Sequence, residues 1–541
     1  MDFPILLNYL IVAVPIFFLY TELHFRFPFI YSRYYINEPE ILADIPYRVN
    51  PNCNVPVMVL IKDADKFPIF VKNINIDIYQ NSQIISTNLY IINKRIDDYW
   101  WYKTFQVNPK KNKGHTTFEV RITYEVNKKT KTIKNHNIKT LKPSPFNVFL
   151  SNFELPGSHL TQYGDIHYHS YLTDDMVEFG APLRPTLEVC KVLGLDFICN
   201  TDHSYDLDDK HGSWTETDPE LIKWKTSRKE INDLNNEFKY SPFMIPSEEL
   251  SMHNASGKNI HALILNNSKF LPGQGDGAER PFDFSCDYNS NNLYSNLEKD
   301  AICIASHPFT PVPFVEKFFF KRGIWEEFDI LKQNMIGLQI LNGDLDESFY
   351  RGVKEWINFL LKGNKKFIYA GNDAHGNFNK FRQIRFPMIS IKEADKQILG
   401  VCRTGVFPEK LNHIQSTIDA MRSGNCFITN GPFLKLSIKS NKIEFNMGSD
   451  VCVSKGVIKL SGISNHEFGK ITSFRLIKGV IGEKKESLIK SSSVKDDSFI
   501  IEFDLDVKVE KKSYFRAEIN SENYRGQCTA MSNPIWLNPE P

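Results

Sequence analysis

The chain has 541 residues, too many for one hydrophobic core, so about two to four domains are expected. Its 42% apolar and 24% charged content exclude a largely disordered chain, and 65 basic against 64 acidic residues give no sign of a nucleic-acid partner. Nine cysteines, scattered without a CxxC pair, do not read as a disulfide framework and fit a reducing compartment.

The first element is an uncharged apolar run, "FPILLNYLIVAVPIFFLY" from Phe3 to Tyr20. It is close to the roughly 20 residues that cross a bilayer, and it has neither the basic start nor the cleavage site of a secretory signal. Arg26 and Arg33 follow it and no basic residue precedes it, so the positive-inside bias would leave the body of the chain in the cytoplasm. Residues 1–44 are therefore read as a hydrophobic segment and linker that anchors a cytoplasmic protein to the inner face of a membrane. Packing of the segment on the rest of the chain, and export of the chain, are the alternatives.

Residues 45–150 read as a β-sandwich. "INIDIY" (Ile74 to Tyr79) and "FEVRITYEV" (Phe118 to Val126) alternate apolar and polar side chains, and Lys-Asn-rich stretches such as "NPKKNKG" supply turns. Pro143 and Pro145 mark a linker. Over residues 151–435 the grammar changes. The short apolar runs "LDFICNTDH", "AICIASHP", "MIGLQILNG" and "KFIYAGNDAH" each end in polar, ligand-type residues, with helical stretches between them. Strand, polar loop and helix in repetition predict an α/β barrel whose chemistry gathers at the strand ends. Alternation returns over residues 436–541, in "IIEFDLDVKV" and "YFRAEIN", and predicts a second β-sandwich.

The polar strand ends form an ordered set. In "GDIHYHSYLTDDMVEFGA", alternation places His167 and His169 on one face of a strand with Tyr168 on the other, so that two imidazoles can converge on one ion. Asp174 and Asp175 follow. "FICNTDHS" ends in Asp202 and His203; "MIPSEELSMHNASGKNIHALIL" offers Glu248, Glu249, His253 and His261; "IASHPF" offers His307; "YAGNDAH" ends in Asp373 and His375. A lone histidine near a strand is more often a hydrogen-bonded surface or core residue, and "ND" or "TD" is ordinary turn chemistry. Seven of the 14 histidines at such positions in one region, with carboxylates beside them, is a different pattern. Buried clusters of this kind are costly unless the groups pair with each other or with a cation.

In order, "HxH", "TDH", "E…H", "SHP" and "(S/N)DAH" resemble the motifs of the polymerase and histidinol phosphatase (PHP) superfamily over roughly Asp165 to His375. "TDDMVEFGA" and "GNCFITNGPFL" (Gly424 to Leu434) are similar to its carbaryl-hydrolase (CehA/McbA-like) branch. The resemblance implies a fold and a site. The fold is α/β: a distorted seven-stranded (β/α)7 PHP-type barrel, here flanked by N- and C-terminal β-sandwich domains. The site is a cluster of two or three divalent transition-metal ions. By motif, His167, His169 and Asp373 would hold one ion. Glu249 would bridge to a second ion held by His261 and His307. Asp175, with Asp174 as substitute, would hold a third together with His203 and His375. Asp165 and Asp202 would act behind the imidazoles as acceptors that orient them. His253 matches no ligand motif and faces either substrate or solvent.

Mixed imidazole and carboxylate ligands suit zinc, manganese or iron alike. The expected activity is metal-dependent hydrolysis by a metal-bound water, with Glu249 and Asp373 at the bridging site. The superfamily resemblance implies a phosphoesterase, and the branch resemblance implies carboxylic or carbamic esters. A non-catalytic binding or surface protein with a structural metal cluster is the reading from another class. The expected partner is a small-molecule ester or phosphoester, with no nucleic acid indicated and membrane association resting on residues 3–20. Lys258, Arg280 and Arg382 are basic residues that could hold a phosphate, although none sits in a decisive motif.

Overall fold

The run "VPVMVLIK" does not alternate, which is the pattern of a strand covered on both faces. In the computed structural model it forms Val55–Lys62 and is buried throughout. The structure describes residues 38–110, 112–138, 141–173, 180–210, 216–275, 283–312, 317, 321–385, 390–493, 498–524 and 526–540. The apolar run Phe3 to Tyr20 lies outside them, and among the described residues no helix is long and apolar enough to cross a membrane.

Val55–Lys62 is the middle strand of a three-stranded sheet between Glu40–Asp44 and Trp100–Val107. One of its faces, carrying Val57, Val59 and Ile61, shares a core with Phe118, Val120 and Ile122 of a second, six-stranded sheet. That second sheet is built on the long alternating strands Ile69–Gln80 and Gly114–Val126. The other face contributes Met58 and Leu60 to the core of the following region, beside Leu187 of the helix Leu183–Leu193. The N-terminal sheets are thus plated onto the centre of the molecule by apolar burial on both sides of one strand.

The strands of the middle region do not form the expected (β/α)7 barrel, and the fold-class expectation is corrected on this point. They lie in an open path in the order Phe367–Gly371, Met335–Asn342, Ile302–Ala305, Asn259–Leu265, Phe243–His253, Phe197–Asn200, Gln162–His169, Arg403–Val406 and Cys426–Thr429. Among the described residues no ladder joins Phe367–Gly371 back to Gln162–His169, because Arg403–Val406 takes the free edge of the latter. Nor is the path all parallel. Phe243–His253 and Asn259–Leu265 pair antiparallel through a short connection, and Asn259–Leu265 pairs antiparallel with Ile302–Ala305. A hairpin needs no crossover helix, so the region is poorer in helix than a repeating β/α unit requires. The described residues contain six α-helices against 31 strands.

The path then continues into the C-terminal region. Cys426–Thr429 pairs with Gly526–Ser532, followed by Ser513–Asn523 and Lys470–Val480, within one sheet of 16 strands. A separate four-stranded sheet, Ile443–Asn446, Phe433–Ser440, Lys455–Ile463 and Ile500–Lys508, covers this extension. Leu434, Leu436 and Leu460 from one layer share a core with Leu476, Phe515 and Ile519 from the other.

Candidate metal centre

The C-terminal ends of Gln162–His169 and Phe367–Gly371, the middle of Phe243–His253 and the start of Asn259–Leu265 converge on one polar cluster. His167 and His169 end the strand Gln162–His169, both fully buried. Tyr168 points the other way, where its hydroxyl meets Thr186 Oγ1 at 2.7 Å. Gly371, at the end of Phe367–Gly371, allows that strand to approach: a Cβ there would lie 2.8 Å from His167 Cβ and 2.9 Å from His167 N. The chain then turns through Asn372 and Asp373, whose backbone N–H donates to His167 O at 2.9 Å. Two of the converging residues hold positive φ, Asp373 at 52° and His307 at 28°. Such backbone is strained for residues other than glycine and gathers at functional sites. Ala374–His375 pairs parallel with Tyr168 and His169, which stacks the His375 ring on His169 at 4.1 Å between centroids.

Glu249 lies at the centre. Its Oε2 is 3.4 Å from His167 Nε2, 3.4 Å from His169 Nε2 and 3.2 Å from His203 Nδ1. Its Oε1 is 3.1 Å from His261 Nδ1 and 3.5 Å from His307 Nε2. Asp373 Oδ1 is 3.2 Å from His167 Nε2 and 3.3 Å from His169 Nε2, and Asp373 Oδ2 is 3.9 Å from His307 Nε2. Three overlapping sets of donor atoms therefore gather: His167, His169, Glu249 and Asp373; His203, Glu249 and His261; and His169, His203 and His375.

Hydrogen bonds to the far side of each ring set the tautomers. Gln339 Nε2 donates to Asn342 Oδ1, so Gln339 Oε1 is left to accept from His167 Nδ1 at 2.9 Å. Thr173 Oγ1 donates to Asp202 Oδ1 and therefore accepts from His169 Nδ1 at 3.3 Å. With protons on both Nδ1 atoms, both Nε2 atoms present lone pairs, and these face each other at 3.0 Å. Two buried lone pairs at that separation repel unless a proton or a metal ion lies between them. Two carboxylate oxygens within 3.4 Å complete a four-donor shell around the same point. His203 Nδ1, also buried, makes no hydrogen bond and points at the same carboxylate. The donor set fits a divalent transition metal in number and type.

The electrostatics agree. Burial alone would raise the Glu249 carboxyl, but His261 and His167 beside it hold it well below the usual carboxylate range. Asp373 is held low in the same way by His167, His169 and His307. Burial opposes charge on His167, yet Asp373 and Glu249 outweigh it and push the imidazole up to about 9, so a proton occupies the place between the two Nε2 atoms that a metal ion would take. Burial and the neighbouring imidazole His169 drive His203 well below its ordinary value. The carboxylates are anionic and call for positive charge, and the imidazoles cannot all provide it at once.

The strand Phe243–His253 sends its two successive glutamates to different tasks. Glu248 is closed into a structural network, accepting from Trp224 Nε1 at 2.7 Å and Arg228 Nη2 at 2.7 Å. Glu249 points into the cluster.

Several expectations are revised by these placements. His203 gathers with His375 and His169 and also with Glu249 and His261, so His169 and His203 each belong to two donor sets. Asp165 orients no imidazole: it accepts from the backbone N–H groups of His167, Asn372 and Gly400 and from Asn372 Nδ2. Asp202 reaches His169 only through Thr173, while also accepting from Ser170 and Asn200. His253 is half-buried, and its Nε2 meets the Phe284 carbonyl at 2.8 Å. Asp174, Asp175 and Arg280, and the side chain of Arg382, lie outside what is described.

Four supporting residues escaped the sequence reading: Gln339, Thr173, Ser306, whose hydroxyl donates to Glu249 Oε1 at 2.8 Å, and Gln397, whose amide donates to Asp373 Oδ2 at 3.3 Å. Gln339 left a signal, being a buried amide in the otherwise apolar "MIGLQILN". Arg322 lies against His261, with Nη1 2.5 Å from Nε2 and Nη2 3.1 Å from Nδ1.

No protein-family model matches the chain, and no curated protein does. Among solved structures, a β-glucuronidase from Bacteroides uniformis is 10% identical over 93% of this chain and 61% of its own, with a TM-score of 0.17. A β-D-mannosidase from Dictyoglomus thermophilum is 9% identical over 92% of this chain and 66% of its own, with a TM-score of 0.24. The chain thus spans about three fifths of the glucuronidase's length. Superpositions of this quality carry no argument about fold or activity.

Proposed function

We propose that the chain is a metal-dependent hydrolase of phosphoesters, with ordered ligand motifs similar to those of the PHP superfamily. One observation carries this reading: the Nε2 atoms of His167 and His169 face each other at 3.0 Å, and Glu249 and Asp373 oxygens converge on the same point. Glu249 belongs to two of the three donor sets, so its carboxylate would bridge neighbouring ions. His203 and His261 would hold the second ion, and His307 stands 3.5 Å from the same carboxylate. Ions in such a site supply Lewis acidity and an acidified water. The protein's own part is to fix the donors. Gln339 and Thr173 hold the proton on the outer nitrogen of each imidazole, Ser306 orients Glu249, and Gln397 orients Asp373.

The test is metal analysis of the purified chain joined to a paired screen of nitrophenyl phosphates and nitrophenyl carboxylic or carbamic esters. The expected result is more than one transition-metal ion per chain and phosphoester turnover that chelation abolishes. A chain that takes up no metal sinks the reading. Metal without turnover makes the cluster structural, and turnover confined to the carbon esters moves the substrate to the carbaryl-hydrolase class.

A further inference from the structure

The strand Gln83–Ile96 ends the six-stranded N-terminal sheet, paired with Ile69–Gln80 on one side and, among the described residues, with no strand on the other. It is 14 residues long and carries no charge from Gln83 to Asn93. Ile85, Tyr90 and Ile92 turn inward and pack against the core shared by the two N-terminal sheets. Ile84, Leu89 and Ile91 turn outward and are 55%, 60% and 62% exposed. Their pairing with Tyr79, Asn75 and Asn73 sets all three on one outer face, which Phe70, opposite Arg95, extends.

A long uncharged edge is a template for another strand, and proteins ordinarily blunt such edges with charge, brevity or cover. The edges of the C-terminal sheets are blunted in this way. Ser487–Ser493 is seven residues long with Lys490 at its centre, and Ile500–Lys508 turns Glu502, Asp504 and Asp506 to solvent. Gln83–Ile96 lacks both devices over most of its length. The charges beside it are already paired within the chain: Arg121 with Asp77, Lys134 with Glu119, Lys72 with Glu125 and Arg95 with Asp97. Such a face has no surplus charge for a lipid headgroup or a nucleic acid, and it fits an apolar strand. The opposite end of the sheet, Arg48–Val49, is closed, because the flanking N–H groups of Tyr47 and Asn50 donate to the Phe378 and Val192 carbonyls. With one end of the sheet open, association stops at a pair.

We infer that this edge joins a second copy of the chain, strand to strand and antiparallel across a two-fold axis. The charges within the strand decide the direction. Lys94 and Arg95 both lie at its C-terminal end, so parallel pairing would set like charges side by side. Antiparallel pairing places them beside the uncharged start of the other copy, and Leu89 and Ile91, near the middle, meet their counterparts close to the axis. At about 3.4 Å per residue the strand is about 48 Å long, and a strip about 10 Å deep along both copies buries about 1,000 Å² in total. That is the lower bound of a specific interface, so the dimer is reversible rather than obligate. The inference does not depend on the metal site.

The experiment is sedimentation of the full chain over a range of concentrations, in a mild non-ionic detergent that masks the apolar run at residues 3–20. Three forms are compared: unaltered, Leu89→Lys and Leu89→Glu. The unaltered chain should show a monomer–dimer equilibrium that goes no further. Each variant alone should raise the dissociation constant at least about 10-fold, through lost apolar burial and like charges across the axis. An equimolar mixture of the two should recover the dimer. Hydrogen exchange of the unaltered chain supplies a reading that needs no variant: amides of Gln83–Ile96 should slow as concentration rises, and those of Ser487–Ser493 should not. The inference is overturned by a chain that stays monomeric at about 100 µM, by assembly beyond the dimer, or by self-association that both variants retain. A mixture no more associated than its parts overturns it too, as does exchange at Gln83–Ile96 that ignores concentration.

Discussion

Two regions of this molecule bury charge, and they do so in opposite ways. At the junction of the N-terminal sheets, the central region and the C-terminal layer, Arg48 is 1% exposed and uses all five of its donors. Nε and Nη2 pair with Glu467, Nη1 donates to Asn50 Oδ1 and the Leu193 carbonyl, and Nη2 also reaches the Phe153 carbonyl. Glu467 in turn accepts from Ser151 Oγ at 2.7 Å. Nothing there is left for a ligand. Around Glu249 the hydrogen-bond accounts close only with an added proton or metal ion: the Nε2 atoms of His167 and His169 face each other, and His203 Nδ1 has no hydrogen bond. Burial and charge alone do not distinguish a structural ion pair from a binding site, and neither does one unpartnered atom, since Arg403 Nε and Nη2 are buried without partners away from the cluster; convergence of several donor atoms on one point does.

This contrast can be broken by mutation at either end. Glu467→Ala strands a buried guanidinium and should cost about 3–5 kcal/mol of unfolding free energy, read by chemical denaturation. Metal content per folded chain should not change, and a loss of metal would mean that the junction is coupled to the cluster. Glu249→Gln should do the reverse. It removes the shared ligand, so metal content should collapse and turnover should fall by at least about 100-fold, beyond what loss of a supporting partner costs. Retained metal would dismiss Glu249 as the bridge. Gln339→Leu probes the support alone. His167 loses the acceptor that fixes its tautomer, and metal affinity should weaken about 10- to 100-fold, measured by competition with a chelator.

The smallest effect concerns Asp196, an intermediate case that accepts from the Tyr163 backbone N–H at 2.8 Å. Burial pushes its carboxyl up from 3.8 to about 7. Folding then favours the protonated acid, so its cost is absent below the unfolded value and grows as pH rises toward the folded one. Asp196→Asn should therefore raise the melting temperature by a few degrees above neutral pH and leave it unchanged in acid. A difference independent of pH would show that ionisation of Asp196 is not the cause.

Much of the site could be read before any fold was known. Alternation put His167 and His169 on one face, and the polar ends of the apolar runs marked His203, Glu249, His261, His307, Asp373 and His375 as candidates. The barrel could not be read in the same way. Four of its strands were recognised as apolar runs, but apolarity does not specify a neighbour, and the edge expected for the last strand went to Arg403–Val406. The boundary set at residue 435 shows the same limit, because the sheet runs across it through the pairing of Cys426–Thr429 with Gly526–Ser532.

By itself the sequence determined which donors exist and that His167 and His169 share one face of their strand, since both follow from side-chain chemistry and a period of two. Only the tertiary structure decided which donors share a point. It joined His203 to Glu249 and His261, made His169 common to two sets, and gave Gln339, Thr173 and Arg322 their partners. Those choices depend on register between strands separated by up to two hundred residues and on hydrogen bonds made after the strands have paired. No local pattern along the chain carries that information.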